Sequence, residues 1–280
     1  MDKPKNIFTM LIFIMLIVYL FVTAPAPLQT DLAGRKVETK KVLEIINAIN
    51  SQVRNLYTKN IVGAGKKSGL RFNEDWQEED VFAGPLPAQF LRETSRSLEK
   101  NNVQLGLYLG SDYPINTANL FSGKQRDFFK QLKTTGEPKF FYVEDIERYG
   151  YMFADKAIAK PCVSCHNKHD DSPKKDWRID DIMGATTWTY PDEFITLEIA
   201  LELISALRSS VNNAYAAYID KIKQFKNPPA LSSRWPKEGF YLPSVAHFME
   251  EVDRRIAVET MQSLLLVASH EEKVKTSSGE

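Results

Sequence analysis

Apolar residues recur at helical spacing across 33–62. Val42, Ile45, Ile46, Ile49, Val53 and Leu56 share one side of a 3.6-residue period, and mixed charge fills the other side. The pattern predicts a stalk helix that packs or dimerises along its apolar face. Residues 63–85 are loop-rich, with Gly63, Gly65, Gly69 and Gly84-Pro85. A helix over 88–100 follows the prolines. Residues 103–109 alternate as a strand, 111–116 form a turn, and 123–134 form a short helix carrying Phe128, Phe129 and Leu132. Two further runs, 140–144 and 149–158, read as an antiparallel pair around a turn near Glu147-Arg148. A polar loop spans 159–181. A Thr- and aromatic-rich strand covers 183–190, and a long helix covers 192–225 with Asp192 at its N-cap. Residues 226–244 contain four prolines and read as a linker or wrapping segment. One more helix is predicted over 245–268, then a polar, disordered tail to 280.

This order of helices and antiparallel strands predicts an α+β fold: a PAS/Cache-like domain over 33–225 with a small central antiparallel sheet flanked by helices. Ahead of it, 7–24 is a run of 18 residues without a charge, preceded by Lys3 and Lys5. That length spans a bilayer core, so one transmembrane helix is expected to precede the domain. The positive flank keeps residues 1–6 in the cytoplasm and sends the bulk of the chain to the periplasmic side of an inner membrane. A cleaved signal peptide is the competing reading, since Ala24-Pro25-Ala26 resembles a cleavage site; Pro25 and Pro27 disfavour cleavage there. Glu198 and Glu202 interrupt the apolar part of 194–206, so no second span and no cytoplasmic output domain are expected. Lys+Arg and Asp+Glu both number 36, and this balance gives no sign of the strongly basic face that nucleic-acid binding needs.

The chemistry is concentrated in one run. Both cysteines of the chain lie in Cys162-Val163-Ser164-Cys165-His166. Two thiols three positions apart can add across the two vinyl groups of one haem, and the imidazole that follows falls under the iron as the proximal ligand. This reading gives one covalent haem c per chain. Thioether attachment takes place outside the cytoplasm, in agreement with the orientation set by Lys3 and Lys5. Two other readings stay open. A thioredoxin-like dithiol needs a strand leading into a helix N-terminus, whereas Pro161 precedes this motif and a Lys- and Asp-rich stretch follows it. A zinc site needs about four ligands, and Cys162, Cys165, His166 and His169 would supply them from a cramped eight-residue stretch. For the sixth position on the iron, Met152 and Met183 are metal-ligand candidates, each with core filling as the plainer role. A water-bound or vacant position would admit a gas or small molecule. His169 reads as a group that hydrogen-bonds a propionate or the loop backbone.

Residues 162–169, with Ser172-Pro173-Lys174-Lys175-Asp176-Trp177 and Asp181-Ile182-Met183-Gly184, resemble the haem-c-binding PAS-like sensor domain family. That family was long catalogued as a domain of unknown function, and its founding structure is a cyanobacterial c-type haem protein. Gly84-Pro85-Leu86-Pro87-Ala88, Tyr113-Pro114 and Tyr151 through Ala154-Asp155 extend the resemblance upstream, so that it covers about 35–195. It implies an extracytoplasmic haem sensor or redox module in its stand-alone, membrane-anchored form. Cys162 and Cys165 would be the thioether links and His166 the proximal ligand. Two departures stand out. The N-terminal helix has no cysteine to serve as distal ligand, as some relatives have. Met183 occupies a position where many relatives carry an arginine, so propionate anchoring falls to Lys174, Lys175 or Arg178. The function expected is a haem-binding sensor or redox-responsive module that signals to a partner protein, with a homodimer through the stalk helix as a further candidate assembly. A monohaem electron-transfer cytochrome is the rival. A haem enzyme is the third reading, with His169 the one nearby acid/base.

Overall fold

Four antiparallel strands form the central sheet. The computed structural model describes residues 36–235 and 241–257, together with Met10, 13–16 and Tyr19. The chain divides into two units, Met1–Arg35 and Lys36–Glu280. In the second unit, β4 (Gly106–Gly110), β5 (Lys139–Val143), β6 (Arg148–Lys156) and β7 (Ile182–Tyr190) assemble in the order β4-β7-β6-β5. Strand β7 is central because its threonines and aromatics suit a surface buried on both faces; Trp188 lies opposite Leu107 on one side and Tyr151 on the other. The β5–β6 turn is closed by Glu147 in the left-handed region (φ 51°).

Side chains alternate across this sheet. On one face, Tyr151, Trp188 and Tyr190 join the main core. That face is covered by α1 (Thr39–Leu56), whose buried Val42, Ile45, Ile46, Ile49, Val53 and Leu56 realise the helical spacing in the sequence. Three polar contacts fix α1 to the sheet. The Tyr151 hydroxyl donates to Glu44 (2.8 Å), the Trp188 indole N–H donates to Asn47 (3.2 Å), and Arg54 ion-pairs with Asp155. The other face carries Phe141, Met152 and Ala185, which meet Phe129 and Leu132 of α4 (Gly123–Thr135) in a smaller cluster.

Short elements complete the unit. β1 (Lys36–Glu38) pairs antiparallel with β8 (Phe194–Thr196), so the stalk run opens as a strand. The same pairing moves the start of the long helix from Asp192 to α6 (Leu197–Lys223), where the Thr196 hydroxyl caps the Ile199 N–H at 3.2 Å. After α1 the chain continues as a π-helix over Tyr57–Gly63 and a single turn, α2 (Ala64–Lys67). β2 (Phe72–Asn73) and β3 (Gly84–Pro85) form a two-residue parallel pair before α3 (Pro87–Glu99). Residues 230–231 and 241–242 make a similar pair, β9 and β10. The helix over 245–257, α7, packs on the main core; Phe248 stacks on Tyr215 with ring centroids 4.0 Å apart, and Arg208 grips Asp253 through two bonds of 2.7 and 2.6 Å.

Two features of the expected fold class are corrected. The α+β class with small sheets holds, but among the described residues no PAS-type sheet is formed: the central sheet has four strands. Residues 63–85 carry glycines and proline where a further strand would need branched residues, and they yield only a two-residue pairing. Secondly, among the described residues no helix is long and apolar enough to cross a membrane. The longest, α6, is charged on one face and buried on the other. Most of 7–24 and the cleavage-like Ala24-Pro25-Ala26 lie outside the described residues, as do 1–6 and everything after 257.

Candidate functional site

The loop after β6 is pinched at its base. Ala157 donates its N–H to the Asp181 carbonyl (2.9 Å), and its own carbonyl accepts from the Asp180 N–H (3.1 Å). Asp155, one turn of strand before the pinch, is held from two directions by Arg54 and by the Thr186 hydroxyl (2.8 Å). The loop therefore springs from a fixed edge of the sheet.

From this base rises a helix, α5 (Lys160–Lys168), that the polar composition of 159–181 did not announce. Pro161 sits in its first turn, where a missing N–H costs nothing and the fixed φ suits a helix. Residues three apart on a helix lie on one face, so α5 sets Cys162 and Cys165 one above the other. Both thiols are free, Cys162 half-buried and Cys165 exposed. His166 follows, half-buried, with its Nδ1 buried and without a hydrogen-bond partner.

The far end of α5 is clamped. Asn167 uses both ends of its amide on the backbone of one residue: it donates to the Trp177 carbonyl (2.9 Å) and accepts the Trp177 N–H (2.8 Å). This closes residues 168–176 into a fixed loop. Trp177 is buried, edge-on to Tyr113, with the Lys174 ammonium 4.7 Å from its ring centroid. Ser172 ties the same turn through the Lys174 carbonyl (2.8 Å).

Across from the helix lies the segment that follows the π-helix. His169 Nε2 meets the Glu74 carboxylate at 3.1 Å, and the His169 Nδ1 accepts the Asp171 N–H at 3.2 Å, which fixes the ring between the two. Although the Cys165 residue is exposed, partial desolvation of its sulfur, with the negative charge of Glu74, pushes the thiol up, and the Lys66 ammonium opposes them. Burial and the nearby His169 hold the His166 imidazole below its ordinary range, with Glu74 acting the other way. Beside this wall a cleft of about 430 Å³ opens between Lys66 and Ala83.

The sequence-selected residues separate into groups. Cys162, Cys165 and His166 are together on α5. Met152 is fully buried in the smaller cluster, on the face of β6 opposite Tyr151 and among Phe129, Leu132 and Phe141, the surroundings of a core methionine. Met183 lies at the irregular end of β7, where the register shifts between Asp155 and Lys156 and its carbonyl accepts from the Ser111 hydroxyl at 2.5 Å. Lys174 is engaged with Trp177 and ion-paired to Asp176; Lys175 and Arg178 are exposed. Sequence reasoning gave no role to Asn167, Trp177, Glu74 or Lys66. Asn167 directly after the histidine was visible as a residue, but its partner lies ten positions on. Nothing local marks Glu74, which reaches the site from across the fold.

The residues fit a covalently attached haem. Two free thiols one helical turn apart and an adjoining imidazole are the donor set that attachment requires, and the buried Nδ1 of that imidazole has no hydrogen-bond partner. They fit zinc poorly: among the described residues no group of three or more His, Cys, Asp and Glu side chains is gathered to hold a metal ion. A family model described as Tll0287-like matches residues 32–191. No curated protein and no solved structure matches the chain.

Proposed function

The chain belongs to the Tll0287-like family, and from that premise we propose that it is a c-type haem-binding module that senses a redox change or a small ligand and signals it to a partner protein. The observation that carries this reading is α5, which presents Cys162, Cys165 and His166 from one rigid turn. Cys162 and Cys165 would hold the group through thioethers, and His166 would ligate its iron. When bound, the group would supply a one-electron couple and an exchangeable ligand site. Attachment of this kind places the domain outside the cytoplasm.

The chain's own residues supply the rest. Asn167 and Trp177 keep α5 from rotating, and Glu74 orients His169 beside it. Asp155 links the base of the loop to Arg54 of α1, which gives a displacement of the loop a direct mechanical route to the long core helix. The enclosure of Met152 in its own cluster speaks against it as a ligand, because it would have to leave the core, and Met183 is then the remaining methionine candidate.

The test is expression of the full chain with the haem-c maturation machinery. Haem that stays on the chain after denaturation, and is lost in the Cys162→Ser/Cys165→Ser double variant, is the expected result. A reduced-state absorption spectrum that shifts with carbon monoxide supports sensing; indifference to carbon monoxide transfers the assignment to an electron carrier. Absence of denaturation-resistant haem from the wild-type chain overturns the reading.

A further inference from the structure

The cleft beside α5 has the make-up of a site for an apolar group with an anionic edge. Phe72 and Phe82 give it an apolar wall, and Lys66, Arg71 and Asp80 stand around it with net positive charge. Among the described residues neither Lys66 nor Arg71 has an ion-pair partner. The segment that lines the cleft also meets the end of the attachment helix: Asn73 lines the cleft and the next residue, Glu74, pairs with His169, while the Lys66 ammonium is close enough to act on the Cys165 thiol. The basic residues of the loop itself are otherwise engaged or turned outward; Lys174 lies on Trp177 and Asp176, and Lys175 and Arg178 are exposed.

We infer that Lys66 and Arg71 bind the propionate carboxylates of the haem carried by Cys162 and Cys165, with Phe72 and Phe82 against its apolar edge. The inference rests on the haem-binding reading. The Lys66 ammonium of α2 and the Arg71 guanidinium in the loop that follows suit two carboxylates, one as a point charge and one by a planar fork. Cations at that edge stabilise the reduced form, which carries one more negative charge than the oxidised form.

The experiment compares matured full-length wild type with Lys66→Gln/Arg71→Gln, the conservative Lys66→Arg/Arg71→Lys, and Lys175→Gln/Arg178→Gln. Denaturation-resistant haem is quantified first, then the midpoint potential by spectroelectrochemistry. The expected result is full haem attachment in every variant, since the thiols are untouched. The Lys66→Gln/Arg71→Gln protein then shows a roughly tenfold shift of the redox equilibrium toward the oxidised form, about 59 mV lower in potential. The charge-conserving pair restores the wild-type value, which a merely structural role would not do, and the Lys175→Gln/Arg178→Gln protein stays at it. A Lys66→Gln/Arg71→Gln protein that keeps its haem and its potential overturns this assignment while leaving the haem reading intact, and a shift confined to Lys175→Gln/Arg178→Gln returns the propionates to the loop. Wild type without covalent haem overturns both.

Discussion

Replacing Asn167 with alanine removes both bonds that hold the end of α5 to the Trp177 backbone. Each such bond contributes about 0.5–1.5 kcal/mol net, and a donor left unpaired near a buried ring costs about 1–3 kcal/mol. The two together put the opening of the loop about 2 kcal/mol closer to the folded state. The base of the loop keeps its own bonds at Ala157, Asp180 and Asp181, so the loss is local and global stability falls by less than about 1 kcal/mol. Native-state hydrogen exchange of the Trp177 amide is the direct readout. About 2 kcal/mol corresponds to roughly 30-fold faster exchange, with the amides of β7 unchanged. Asn167→Asp keeps the acceptor for the Trp177 N–H and loses the donor to its carbonyl, so it exchanges at an intermediate rate. A Trp177 amide in Asn167→Ala that exchanges within twofold of wild type would refute the clamp.

Gly84→Ala drives a methyl into the buried Tyr218 ring and lowers unfolding stability by about 1–3 kcal/mol, read from the urea midpoint; an unchanged midpoint contradicts the close approach of β3 to α6. Phe248→Ala empties the stack on Tyr215 and costs about 3–5 kcal/mol, with proteolysis beginning in α7; a loss under 1 kcal/mol means α7 is not part of the core. Burial pushes the Tyr57, Tyr215 and Tyr218 hydroxyls above their ordinary value. Below about pH 10 they are neutral in both folded and unfolded chains. Above it the unfolded chain releases its protons first, so stability falls as pH rises, by about 1.4 kcal/mol per pH unit for each such tyrosine. Denaturant titrations from pH 9 to 11 check this, and Tyr57→Phe flattens the slope.

The strands were legible where alternation and β-branched residues coincide. β5, β6 and β7 fall within two residues of the sequence reading, because their side chains answer to two different cores. The apolar stripe of α1 was legible for the same reason. Less legible was anything settled by a distant partner. Residues 36–38 carry no strand signal of their own; they extend because β8 is beside them, and that pairing then shortens α6 at its start. Composition described 159–181 as loop, but the backbone bonds of a single proline-started helix organise its first half. At the site, the Cys162, Cys165 and His166 spacing was fully present in the sequence. The opposing wall was not, since Lys66 and Glu74 arrive from nearly a hundred positions earlier in the chain.

The π-helix over Tyr57–Gly63 has a consequence for how this chain tolerates change in length. Relative to an α-helix it holds a surplus residue in its turns. Deleting one residue between Tyr57 and Gly63 lets the ladder relax to ordinary α geometry, so the loss is absorbed and the downstream residues keep their face of the helix, whereas deleting one residue within α1 has no surplus to draw on and rotates everything downstream by about 100° about the helix axis. Gly65, packed against Leu70 and Phe72, and Lys66 beside it would then leave the side of the molecule that carries α5. An insertion in the exposed β5–β6 turn at 144–147 shifts only the turn, whereas in α1 the loss of a single codon would disengage one half of the site from the other while leaving every side chain of that half in the protein.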